Sequence, residues 1–251
     1  MYNVWTIAKR EYNQYFSSPV AYLVAFIILL ILGIFFFYSL LIAMSPQAMQ
    51  QGYVPNVDVI LWWLGLLLAF LTPALTTRLL AEERRLGTIE LLMTAPVKDW
   101  ELVVGKWLGA FLMLLTLLAI TLIYPLVLDQ LVSPGIDQGP MMTGYLGLIL
   151  ICAALVAIGV FVSSLFSNQI AAFITTLGVM IFFWLVTGLV VRVMGSLGGA
   201  SEWIRYLDLS SPFNNNLLRG VLELRDLVYY LSVTALALFL GTMSVEVRRW
   251  S

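Results

Sequence analysis

Apolar residues along this chain fall into six long, unbroken runs, at positions 20–44, 59–77, 107–128, 145–167, 171–191 and 227–245, and none of them contains a charged side chain. An α-helix rises about 1.5 Å per residue, so a hydrocarbon core of roughly 30 Å takes about 20 apolar residues to cross. Every run approaches or exceeds that length, and a helix satisfies its backbone hydrogen bonds within the segment, as a span must. A closed β-barrel would show many alternating segments of about ten residues instead. The pattern predicts an all-α polytopic membrane protein with six transmembrane helices. Its weakest boundary is the short polar break formed by Ser163, Ser164, Ser167, Asn168 and Gln169. A tight hairpin there gives six spans, whereas a kink gives five.

Charge placement orients the spans. Lys9 and Arg10 precede the first run, and Arg248 and Arg249 follow the last. Basic residues favour the cytosolic side, so both termini are expected there and the number of crossings is even. Arg78, Arg84, Arg85, Lys98 and Lys106 lie at or near the limits of the second loop, while the first and third loops carry Asp58, Asp129 and Asp137 and no basic residue. Arg192, Arg205, Arg219 and Arg225 fall in the extracytoplasmic segment 192–226 and fit the rule imperfectly, although Glu202, Asp208, Glu223 and Asp226 offset them. The first run is too long for a signal-peptide core and has no small-residue cleavage pattern, so it is expected to persist as a span.

Three segments outside the runs carry their own patterns. Residues 2–18 place Trp5, Ala8, Tyr12, Tyr15 and Phe16 at helical intervals, with Lys9, Arg10, Asn13 and Gln14 at other angles. That period predicts an interfacial amphipathic helix, turned into the first span at Pro19. The alternative is a plain extension of that span. The loop 78–101 reads Glu82-Glu83-Arg84-Arg85-Leu86-Gly87-Thr88-Ile89-Glu90-Leu91-Leu92-Met93-Thr94-Ala95-Pro96. Thr88 is a helix cap and Pro96 a stop, giving a short helix with Ile89, Leu92 and Met93 as an apolar ridge. Such a ridge meets a partner protein, or rests on the membrane or the protein's own spans, and the neighbouring charges are as readily a solvated face. In 192–226, short helices are expected at Glu202 to Leu207 and Leu217 to Leu224, separated by Ser210-Ser211-Pro212 and Asn214-Asn215-Asn216.

Composition narrows the function. Of 251 residues, 61% are apolar or aromatic and 11% charged, less than half the charged share of a soluble domain. A net charge of -1 with no basic stretch argues against nucleic acid. Histidine is absent and the single Cys152 sits in an apolar run as a packing residue. Gly105-Lys106 is followed by Trp107, so the chain has no phosphate-binding loop and no catalytic residue is assigned. Charges inside membranes usually mark ion or proton paths, and their absence from the runs points to energy supplied from outside the lipid. Pro73 and Pro125 are candidate kinks.

The span order, the Lys9-Arg10-Glu11 entry segment, the loop from Glu83 to Val97, Ser211-Pro212-Phe213, Arg219-Gly220-Val221 and the terminal Glu246-Val247-Arg248-Arg249-Trp250 together resemble type-2 ABC transporter permeases. The likeness covers essentially the whole chain and is closest to the gliding-motility and copper-enzyme-maturation branch. It implies a multi-pass protein of the bacterial cytoplasmic membrane, the permease of an ATP-driven exporter. ATP and magnesium would be bound by separate ABC ATPase subunits, a second identical or homologous permease would pair with this one, and an extracytoplasmic accessory protein could attach. Thr88, Ile89, Glu90, Leu91, Leu92 and Met93 would correspond to the coupling helix. Glu82, Glu83, Arg84, Arg85, Gly87 and Pro96 would frame the ATPase contact, and Trp5, Lys9, Arg10, Glu11 and Tyr12 would belong to the connecting helix. A mechanotransmission subunit or anchor without cargo is the second reading, and a passive channel the third.

Overall fold

The computed structural model describes residues 2–46, 55–85, 87, 97–132, 135–194 and 207–249. The protein is all-α, with six membrane-spanning helices. Helix α1 (Tyr2–Ser17) turns at Ser18 into α2 (Pro19–Ala43), the first span. The second span is α3 (Asp58–Thr76). It continues past the expected end at Thr77 through a π-helical stretch, Arg78–Glu82, and a last turn, Glu83–Arg85. Gly87 follows in the left-handed conformation with φ 69°, the usual way for a helix to stop.

The third span is α4 (Asp99–Thr121) followed by α5 (Ile123–Leu131). The break falls at Thr121–Leu122 because Pro125 has no N–H to give the Thr121 carbonyl. Helix α6 (Gln138–Leu165) is the fourth span and α7 (Gln169–Ile181) begins the fifth, extended by a π-helical stretch and α8 (Thr187–Met194). Between α6 and α7 the Asn168 side chain accepts the Ile170 and Ala171 amides at 2.9 and 3.4 Å. That cap starts a new helix rather than kinking an old one, and the break is a hairpin. Helix α10 (Leu224–Arg249) is the sixth span.

Helix α6 is the centre of the bundle. Its run from Leu150 to Val160 is buried throughout, and α3, α4, α7 and α10 all pack on it. Cys152, Ala153, Ala154, Ala157 and Gly159 let neighbouring backbones approach closely, the usual means of helix association in membranes. At the opposite extreme, α2 is the least buried of the six spans and presents Tyr22, Phe26, Leu30, Ile34 and Phe37 outward.

The segment before α10 differs from the expected pair of helices. Ser210–Asn215, expected to separate them, is itself helical (α9). Asp208 nucleates it, its carboxylate accepting from the Ser210 amide at 2.9 Å and hydroxyl at 2.8 Å. Of the expected helix at 202–207 only Leu207 is described, and it lies in a turn. The other shrinks to a 3-10 turn, Leu217–Arg219, ended by Gly220 at φ 81°. Phe213 is fully buried and approaches Trp184, so this segment plugs into the bundle.

Helix α1 is packed along α4 in the same direction. Asn3 meets Glu101, Ile7 meets Gly105, Glu11 meets Gly109 and Tyr12 meets Thr116. Its buried positions are Ala8, Glu11 and Tyr15, while Trp5 and Phe16 point outward. The aromatic residues therefore do not share one membrane-facing stripe, because the close approach is made by small and hydrogen-bonding side chains. Glycine is required on α4. A Cβ at Gly105 would stand 2.8 Å from Ile7 Cβ, and one at Gly109 would stand 2.6 Å from Glu11 Cβ and 2.9 Å from the Ala8 carbonyl oxygen. Gly109→Val is expected to destabilise the protein by about 1–3 kcal/mol through overpacking. Thermal unfolding of the purified variant in detergent measures this, and an unshifted midpoint would contradict the close packing.

Candidate functional site

The polar groups that the lipid-spanning segments lack are gathered where α1, the end of α3 and the start of α4 meet. Lys106 is two turns inside α4 and its side chain is only 1% exposed. Its ammonium donates to Glu11 Oε1 at 2.9 Å and to Glu83 Oε1 at 2.7 Å. Arg10 lies against the same two carboxylates, with Nη2 3.2 Å from Glu11 Oε1 and 3.6 Å from Glu83 Oε1. Two carboxylates meet two cations, so the cluster is formally neutral. A buried pair of this kind adds little over apolar packing, but removing one member leaves an uncompensated charge.

The cluster is flanked by further ties. Asn3 Nδ2 donates to Glu101 Oε2 at 3.1 Å, and the same oxygen accepts the Lys98 amide at 3.1 Å, capping α4. On the other side Arg78 donates to Ser18 Oγ at 2.7 Å and pairs with Glu82 at 3.3 Å. The Tyr15 hydroxyl donates to the Leu75 carbonyl at 2.9 Å. Burial pushes that hydroxyl's pKa up and Glu11 adds to the effect, against an opposing influence of Arg78, so it stays a protonated donor. Ser163 of α6 holds the π-helical stretch, accepting the Leu80 and Ala81 amides at 3.2 and 3.0 Å and donating to the Thr77 carbonyl at 3.1 Å. Such local widening is common where helices carry function.

Helix α1 thus clasps both flanks of the connection between the second and third spans, through Arg10 to Glu83 before it and through Asn3 to Glu101 after it. Of the residues singled out in the sequence, Glu11, Glu83 and Arg10 come together in the cluster, and Glu82 pairs with Arg78 beside it. Glu83 is not part of a plain solvated face, because Arg10 of α1 and Lys106 of α4 close over it, whereas Glu82 keeps 29% of its side chain exposed. Arg84 is half-buried and Arg85 exposed. Tyr12 is half-buried with its hydroxyl 3.0 Å from Thr116 Oγ1. Trp5 and Lys9 lie on the outer face of α1. Thr88, Ile89, Glu90, Leu91, Leu92, Met93 and Pro96 lie outside the described residues.

Lys106 is the residue that sequence reasoning misplaced. Counted as a charge at the limit of a loop, it is instead the buried centre of the site, since α4 begins at Asp99. The available signal was a lone lysine in Leu102-Val103-Val104-Gly105-Lys106-Trp107-Leu108-Gly109, where a charge among apolar residues needs a partner. Among the described residues no group of three or more His, Cys, Asp or Glu is placed to hold a metal.

Among the described residues the six-span bundle brings its ion pairs Arg10–Glu11, Arg10–Glu83, Arg78–Glu82, Lys106–Glu11 and Lys106–Glu83 together beside the connection between the second and third spans. Residues 50–241 match the family model described as ABC-2 family transporter protein, and the chain belongs to that family. It is a membrane component of a transporter system of the ABC-2 type. Comparison with curated proteins gives no match.

Lys106→Met is expected to destabilise the protein by about 3–5 kcal/mol, the usual result of stranding buried carboxylates. Glu11→Gln combined with Lys106→Met should lose less than the sum of the single changes, with a coupling of about 0.5–3 kcal/mol. Unfolding midpoints for the four proteins of the cycle check this, and strict additivity would show that the ion pair is not formed.

Proposed function

We propose that this chain is the permease subunit of an ATP-driven exporter, in which a separate ATPase pushes on the connection between the second and third spans. The observation that carries the reading is the Lys106 cluster, which ties α1 to both flanks of that connection within 2.7–3.6 Å. A displacement of residues 86–97 moves the end of α3 and the start of α4 together, and α1 with them. Through Ser163 the push also reaches α6, on which most of the bundle packs.

In this reading Thr88 to Met93 form the coupling helix, with Ile89, Leu92 and Met93 seated on the ATPase. Glu82 to Arg85 align the contact, and α1 serves as the connecting helix. ATP and magnesium bind to the partner, and a second permease completes the path. The connection and both termini face the cytosol. The finer likeness, to the gliding-motility and copper-enzyme-maturation branch, belongs to the proposal and rests on Ser211-Pro212-Phe213 and the neighbouring segments. A ligand-driven change requires different contacts in the two states, and here the differential contact is made on the loop.

Replacing Thr88 to Met93 by a Gly-Ser linker in the reconstituted permease–ATPase complex should leave assembly and ATP hydrolysis measurable while lowering ATP-driven cargo flux at least about tenfold, a loss of roughly 1.4 kcal/mol in coupling. Unchanged flux from an intact complex would remove this assignment. ATP-driven conformational change without flux of any cargo would identify a mechanotransmission subunit instead. Gly87→Cys in right-side-out cells should resist impermeant thiol reagents and react once the cytosol is opened; labelling from outside would invert the topology.

A further inference from the structure

A second recess lies on the opposite side of α1 from the ion-pair cluster. It is a groove of about 570 Å³ between α1 and α4, lined by Trp5, Lys9, Tyr12 and Asn13 on one wall and by Leu112, Leu115, Thr116 and Ala119 on the other. Its two walls differ in chemistry. Trp5, Lys9 and Asn13 follow one another at four-residue steps, so they form a row along one face of α1, and all three are exposed. Leu112, Leu115 and Ala119 belong to the uncharged run 107–128, and cover about 10 Å of helix at membrane depth. The hydroxyls in the floor are already satisfied: Tyr12 and Thr116 bond to each other at 3.0 Å, and Thr116 donates to the Leu112 carbonyl at 3.0 Å.

Among the described residues Lys9 has no carboxylate partner, unlike Arg10, Arg78 and Lys106. A cation beside an apolar trough, with an indole and an amide in the same row, matches an anionic head joined to a hydrocarbon tail. Tryptophan and lysine are the side chains that settle at the headgroup level, the lysine stem lying along apolar surface while its ammonium reaches the polar layer. We propose that this groove is a binding site for an anionic phospholipid, with its phosphate on Lys9, beside Trp5 and Asn13, and an acyl chain along Leu112, Leu115 and Ala119. A peptide strand in the same trough would carry unsatisfied backbone groups into the hydrocarbon. A second copy related by a two-fold axis through the groove would bring two Lys9 side chains together. The lipid is the occupant whose charge and solubility both fit.

The full-length protein, purified in detergent, would be examined by native mass spectrometry with dioleoylphosphatidylglycerol and dioleoylphosphatidylcholine as the two probes. The protein should retain phosphatidylglycerol in preference to phosphatidylcholine. Lys9→Gln should lower retention of phosphatidylglycerol about fivefold, the worth of one lysine near an anionic surface, and leave phosphatidylcholine unchanged. Leu115→Trp, which fills the trough, should lower retention of both. Soluble glycerol phosphate should not compete, since it has no tail. Equal retention of the two lipids, or an undiminished preference in Lys9→Gln, would overturn the site. So would displacement by glycerol phosphate, or a Leu115→Trp protein that changes its self-association but not its lipid retention. Lys9 is exposed, so its replacement tests the idea even if Leu115→Trp does not fold.

Discussion

The arrangement depends on one constraint: an ammonium group held out of water beside the lipid must be neutralised where it stands. Lys106 sits in α4 among apolar and glycine residues, and among the described residues the acids that meet it come from elsewhere in the chain, Glu11 from α1 and Glu83 from the last turn of the second span. Burial makes the requirement stringent, since the cost of an unpaired charge rises as the surroundings become less polar. Three segments far apart in sequence are thereby obliged to assemble at one point. Gly105 and Gly109 make the assembly possible, because a side chain at either position would hold α1 away.

Around that point the fold divides its work. Helix α6, rich in small residues and surrounded on nearly all sides, sets the packing of the spans, while α2 and the outer face of α10 offer large apolar side chains to their surroundings. The segment with Phe213 closes the bundle from within. Within α2 and α10 the buried positions recur at helical spacing, Ala21, Val24, Ile28 and Leu32 in one and Tyr230, Thr234 and Ala237 in the other, yet the exposed positions between them are equally apolar, which is why several spans look alike in sequence although their environments differ.

Much of this could be read from the order of residues. Span number follows from length and apolarity, and the Asn168 cap makes the least certain boundary a hairpin. Helix ends were harder to place. The second span runs on to Arg85 because Ser163, 83 residues from Leu80 in sequence, satisfies the widened turn, and no local propensity reveals such a partner. Serine, proline and asparagine suggest turns, so Ser210–Asn215 reads as a separator; in the first turn of a helix, with Asp208 as acceptor, the same residues are well placed. The ionic site was half legible. Glu11, Glu83 and Arg10 stood out as charged residues near spans, but their meeting on Lys106 is a tertiary fact, invisible to any window along the chain.

The widened stretch Arg78–Glu82 also acts as a phase shifter. An ordinary α-helix turns about 100° per residue, so accommodating one extra residue rotates everything after it by nearly that amount relative to everything before. Glu83 reaches Lys106 on the α1 side of the bundle only because this offset has accumulated ahead of it. The stretch is consequently more sensitive to residue number than to residue type: a one-residue deletion would yield a more regular helix whose acid faces the wrong neighbour.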